Sequence, residues 1–144
     1  MSKKIKTIFY IICVLYIILI LTGWYGLFVI IKNFGLNILL QNTNWIYQIT
    51  IVILLFFLFK KNVKALYFSL ISSIFWLSTM AGFGVLDYGI LGSIKSIFNN
   101  FFAGYYQPFL LKFSIWLITL FSIIGICFHF YDEYCKKIKN SMKD

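Results

Sequence analysis

Arginine is missing from this chain. Proline occurs once, histidine once, and four acidic residues stand against thirteen lysines. Each shortage removes a class of function. The lysines fall in short clusters between apolar runs, so the net charge of +9 does not describe the basic face of a nucleic-acid-binding fold. Cys13, Cys127 and Cys135 contain no CxxC and no zinc-ligand spacing. There is no GxSxG, no glycine-rich loop ending in Gly-Lys, no HExxH and no C-terminal prenylation box. The chain is therefore expected not to be an enzyme and to hold neither cofactor nor metal. No charged residue lies in the middle of a long apolar run, where an ion-coupled carrier generally needs one.

What is present is hydrocarbon. The 144 residues are 62% hydrophobic, 22% aromatic and 12% charged, whereas a soluble domain is roughly half apolar and a quarter charged. Such a chain suits lipid as its solvent. Residues 1–144 are expected to form one integral membrane domain, all-α, built as a four-transmembrane-helix bundle.

The four crossings are placed at residues 7–31, 42–59, 65–86 and 109–131. The first exceeds the apolar core of about 7–15 residues found in a secretory signal, so it reads as an uncleaved helix. Its Thr22 and Gly26 form a small-xxx-small pair. The second has a short apolar stretch, residues 45–59. Its helix is expected to begin near residues 41–44 with Thr43 or Asn44 as cap, which puts Gln48 one turn inside. A water-filled vestibule reached by Asn42, Asn44 and Gln48 is the functional alternative there.

The third run would reach about 33 Å as a helix. It carries the densest set of small and hydroxyl residues. Ser69, Ser72, Trp76, Thr79 and Gly82 share one face by their three-four spacing, which makes this helix the expected centre of the bundle. The fourth run answers it with Ile118, Ser122, Gly125 and His129 on one stripe and Thr119 beside it. The faces formed by Ser69, Ser72, Thr79, Gly82, Ser122 and Gly125 are candidates for helix packing or for a solute path.

Two connections lie between the crossings on the outer side. Residues 32–44 are expected along the head-groups. Residues 89–103 form an amphipathic helix, with Ile90, Leu91, Ile94, Ile97, Phe98, Phe101 and Phe102 on one side and Ser93, Lys95, Ser96, Asn99 and Asn100 opposite. It is expected to lie flat on the outer surface, ended by Gly104. Pro108 can then open the last helix.

Lysine distribution sets the orientation. Lys3, Lys4, Lys6, Lys60, Lys61, Lys64, Lys136, Lys137, Lys139 and Lys143 fall on one side of the four crossings, and Lys32, Lys95 and Lys112 on the other. The positive-inside tendency then puts both termini in the cytoplasm and the protein in the inner or plasma membrane.

Three residues remain as individual candidates. His129 is the sole histidine, but a two-sided haem would need a second axial ligand, and Cys127, two residues away, points to another face. Asp87, the one acid on the outer side, stands at a helix end and suits a cap or an ion pair with Lys95 or Lys112. Gln48 is the third. Asp132 and Glu133 read as i,i+4 partners of Lys136 and Lys137. The expected function is contact within the bilayer, as an accessory subunit of a membrane complex or a toxin-immunity protein. Its partners would be the lipid bilayer and another membrane protein or a second copy, not nucleic acid. The alternative is a small transporter or channel component for a neutral solute, working as an oligomer.

Overall fold

A computed structural model describes residues 2–37, 44–79 and 85–141. Five helices carry the fold, with no strand among the described residues: α1 (Lys3–Phe34), α2 (Asn44–Phe59), α3 (Val63–Thr79), α4 (Val85–Phe102) and α5 (Tyr106–Ser141). Two of them, α1 and α5, are long and apolar enough to cross a membrane; α2 and α3 are shorter apolar helices.

The sequence explains where the helices stop. Between α2 and α3 the chain turns at Lys61, whose φ is +53°. Its N–H bonds to the Leu58 carbonyl at 2.8 Å, and the Asn62 side chain accepts the Lys64 N–H at 3.0 Å, capping α3. The α4–α5 turn uses Gly104 at φ +78°, a conformation that costs residues with a Cβ. Pro108 sits in the first turn of α5, where its missing N–H has no intrahelical partner to lose.

Four helices contact in a ring, α1 to α2, α2 to α3, α3 to α5 and α5 back to α1, while α4 packs on α5 and α3. The most extensive contact joins α1 and α5, which run antiparallel. Ser2 N–H donates to Asp132 Oδ2 at 3.0 Å at one end, and Gln107 Nε2 donates to the Thr22 carbonyl at 3.1 Å at the other. This corrects the expectation that the third helix is the centre. The long α1–α5 pair is the spine, because α1 contributes half of the buried apolar side chains among the described residues, including Ile5, Phe9, Ile12, Tyr16 and Leu19 at 2% exposure or less.

Several boundaries also change. Of the third expected helix, residues 65–86, the described part of α3 reaches Thr79, and Val85 and Leu86 fall in α4. Both spine helices outrun their expected ends, and the lysine-rich tail is helical to Ser141. Residues 38–43 of the head-group connection, with Asn42 and Thr43, lie outside the described residues, as do residues 80–84 with Gly82.

The fourth helix carries a break and polar ties that periodicity does not show. Gly89, at φ +68° and ψ 173°, breaks it. Beyond the break Ser93 and Ile97 are buried, while Leu91, Phe98 and Phe102 are exposed. The side chains that tie it down are polar: Trp116 Nε1 donates to Ser93 Oγ at 3.3 Å, and Lys112 Nζ donates to Ser96 Oγ at 2.9 Å. Hydrogen bonds to α5 hold this helix, and of its apolar stripe Ile97 packs inward while Leu91, Phe98 and Phe102 face outward. At the adjoining turn Phe101 packs against Phe102, Tyr106 and Phe109.

Candidate functional site

Near the Thr22–Gln107 end, where α1, α2, α3 and α5 meet, the structure leaves a partly open cavity of about 200 Å³. Its floor is the glycine side of α1. Gly23 lets the Gln48 amide lie directly against the α1 backbone: a Cβ at position 23 would collide with Gln48 Nε2 and Cδ. Three residues on, a Cβ at Gly26 would come within 3.2 Å of Gln107 Nε2. The two glycines are thus one amide-seating surface, and Gln48 and Gln107 are its two occupants.

The amides differ in their bonding. Gln107 reaches across to the Thr22 carbonyl, while the Thr22 hydroxyl donates back to the Ile18 carbonyl at 2.8 Å in its own helix. Gln48 is 6% exposed, and its Oε1 is buried with no hydrogen-bond donor. A buried acceptor left so costs about 1–3 kcal/mol relative to a satisfied one.

Tyr47 and Trp76 form the wall on the α2–α3 side. Their ring centroids are 3.9 Å apart at 42°. The same two rings border a second, larger space, a groove of about 950 Å³ between α2 and α3. That groove opens outward and is dressed with Ile53, Phe57, Phe68 and Phe75, all more than 40% exposed. One aromatic pair therefore borders both the cavity and the groove.

Deeper in the core lies a set of hydroxyls. Tyr16 on α1 faces Ser69 on α3, and Tyr47 faces Ser72. The oxygens of Tyr16, Ser69 and Ser122 are buried without hydrogen-bond partners. Gly125, one turn along α5 from Ser122, is where three helices touch: a Cβ there would meet Ile8 of α1 at 3.1 Å and Leu66 of α3 at 3.2 Å. Among the described residues the set is made of hydroxyls alone.

The structure brings only some of the sequence candidates together. Ser69 and Ser122 are fully buried, and Gly125 sits at the three-helix contact. The buried seam of α3 runs through Ala65, Leu66, Ser69, Ser73 and Leu77, so Ser72 and Trp76 are displaced to its edge beside the groove. Thr79 ends α3. Asp87 is exposed, before the break at Gly89, and Lys112 reaches Ser96. His129 is half-buried beside Phe130, 6.2 Å between ring centroids, and no group of metal-ligating side chains occurs among the described residues. Asp132 accepts the Ser2 N–H rather than pairing at i,i+4, while Glu133 pairs at i,i+3 with Lys136 at 2.9 Å. That ammonium holds the Glu133 carboxyl below its usual range. The three cysteines are free.

Gly23, Tyr47 and Gln107 were not singled out from the sequence as cavity residues. A signal for the floor existed in the Thr22–Gly23–Gly26 cluster. Gln107 carried none, since its role depends on where α5 crosses α1. No protein-family model matches this chain, and neither characterised proteins nor solved structures give a match.

Proposed function

We propose that this is a non-catalytic, multi-pass membrane protein that works by contact within the bilayer, as an accessory subunit or an immunity-type protein. In this reading α1, α2, α3 and α5 all cross, α4 lies at the outer surface, and both termini and the α2–α3 turn are cytoplasmic. The outward faces support it. Every one of the four helices exposes large apolar side chains, among them Leu21, Ile53, Phe68 and Leu120. Less than half of the apolar stretch of α1 or α5 is buried, at 44% and 39%, whereas a soluble core helix hides most of its surface.

The observation that carries the contact function is the groove between α2 and α3. It is apolar and aromatic, with Ile53, Phe57, Phe68 and Phe75 exposed along it. Such a groove is a fitting seat for a partner's membrane-spanning helix.

The transport alternative is less well supported. Inward of the cavity, Ile12, Tyr16, Leu19, Ile115 and Ile118 fill the space among the helices, each at 2% exposure or less. With that packing a solute path would have to form between chains of an oligomer. The test is photocrosslinking in native membranes from a probe at Phe68 or Ile53. Docking predicts a discrete protein adduct; labelling of lipid alone contradicts it. An adduct of twice the 17.0 kDa chain mass identifies the occupant as a second copy.

A further inference from the structure

We propose that the groove between α2 and α3 takes an apolar helix of a different protein, one whose cytoplasmic end carries an aspartate or glutamate at the height of Lys64. The inference rests on the docking reading above and adds the chemistry of the partner. The groove, of about 950 Å³, has one charged residue in its lining, Lys64, which stands with Asn62 at the end where α2 turns into α3. The hydroxyls farther along it are engaged within the chain: Thr50 donates to the Ile46 carbonyl at 3.0 Å, and Ser72 meets Tyr47. The other two lysines of the turn lie over rings of their own chain, Lys60 over Phe56 at 4.3 Å and Lys61 over Tyr10 at 5.0 Å. Lys64 is exposed and has no carboxylate partner among the described residues. It is also the second residue of α3, so the positive end of the helix dipole adds to its charge. An apolar groove with uncompensated positive charge at one end complements an apolar helix with a negative charge at the matching end.

Other occupants fit less well. Two copies in one bilayer share one orientation, so a two-fold pair joined groove to groove sets Lys64 at the height of the second Lys64, like charge against like. The chain's own acids near that end are engaged among the described residues, Asp132 with the Ser2 N–H and Glu133 with Lys136. A second copy therefore offers this lysine no free carboxylate there. A lipid of the inner leaflet reaches only half of a hydrocarbon core, about 15 Å. The groove lining on α3 runs from Lys64 to Trp76, about 18 Å of helix, which a helix fills from end to end.

The experiment applies two crosslinks to the full chain in native membranes: a photoprobe at Phe68, and a zero-length carbodiimide, which joins an amine to a carboxylate in direct contact. Expected is the same protein adduct from both, with mass spectrometry placing the carbodiimide link between Lys64 and an aspartate or glutamate of the partner. Lys64→Arg keeps the charge but is not joined by carbodiimide, so it should lose that link and hold the photo-adduct within about twofold. Lys64→Glu should lower the photo-adduct about tenfold or more. A photo-adduct undiminished in Lys64→Glu, or formed without any carbodiimide link at Lys64, overturns the acidic partner and leaves docking standing. An adduct of twice the 17.0 kDa chain mass overturns it in favour of a second copy. Photolabelling of lipid alone removes both this inference and the docking reading. The carbodiimide link in the unmodified chain decides the matter even if Lys64→Glu fails to insert.

Discussion

At Gly125 a missing side chain does the structural work. Ile8, Leu66 and the α5 backbone meet where a Cβ would have 3.1–3.2 Å of room. Gly125→Ala asks two side chains to yield by a few tenths of an ångström, and a small loss is expected. Gly125→Leu overfills the contact and should cost about 1–3 kcal/mol, read as earlier unfolding in detergent. Gly23 behaves differently, because its neighbour is the mobile end of a glutamine. Gly23→Ala should displace the Gln48 amide with little change in melting temperature, detectable as a shifted Gln48 side-chain amide resonance. The Glu133–Lys136 pair is an exposed contact within one helix. Glu133→Gln is expected to leave the melting temperature unchanged.

Among the elements, α4 is the least constrained by hydrophobic burial. Ser93 and Ile97 are its buried residues, and two polar bonds to α5 orient it. Gly89 holds φ +68° with ψ 173°, a region nearly closed to residues with a Cβ. Gly89→Ala should therefore cost about 1–3 kcal/mol locally and raise protease cleavage near residues 86–92 before any global unfolding. Trp116→Phe removes the donor to Ser93 and should free the segment beyond the break in the same assay. The apolar stripe of this helix was plain in the sequence, yet its seating was not. Periodicity reports which residues share a face and is silent on which face a neighbour's indole and ammonium will claim. The same limit applied to α3. Ser69 was read as packed and is buried, whereas the seam continues through Ser73 and Leu77 instead of Ser72 and Trp76, a rotation that only the position of α5 decides.

For the whole molecule, composition carried the most information. A chain this apolar with its charge confined to short clusters reads as helical and lipid-facing, and the helices found are those the apolar runs announce. Their lengths were less legible, because polar ends such as residues 132–141 continue a helix that hydropathy alone would end. The clusters themselves come together in space. Lys61 Nζ lies 5.0 Å from the Tyr10 ring centroid, and Lys4 Nζ lies 5.4 Å from that of Phe128. The lysines of the N-terminus and of the α2–α3 turn thus lie at one end of the protein. The cavity belonged to neither signal. It arises where two glutamines far apart in sequence fold onto one glycine surface.

The account stands on the lysine-rich end facing the cytoplasm across four crossings. Single cysteines at Lys61, Lys95, Tyr105 and Ser141, in a chain with Cys13, Cys127 and Cys135 replaced by serine, can be labelled with a membrane-impermeant maleimide. In intact cells the cysteines at positions 95 and 105 should label, and those at 61 and 141 should label only after permeabilisation. Labelling of position 61 in intact cells, or recovery of the chain in the soluble fraction after an alkaline wash, would contradict it.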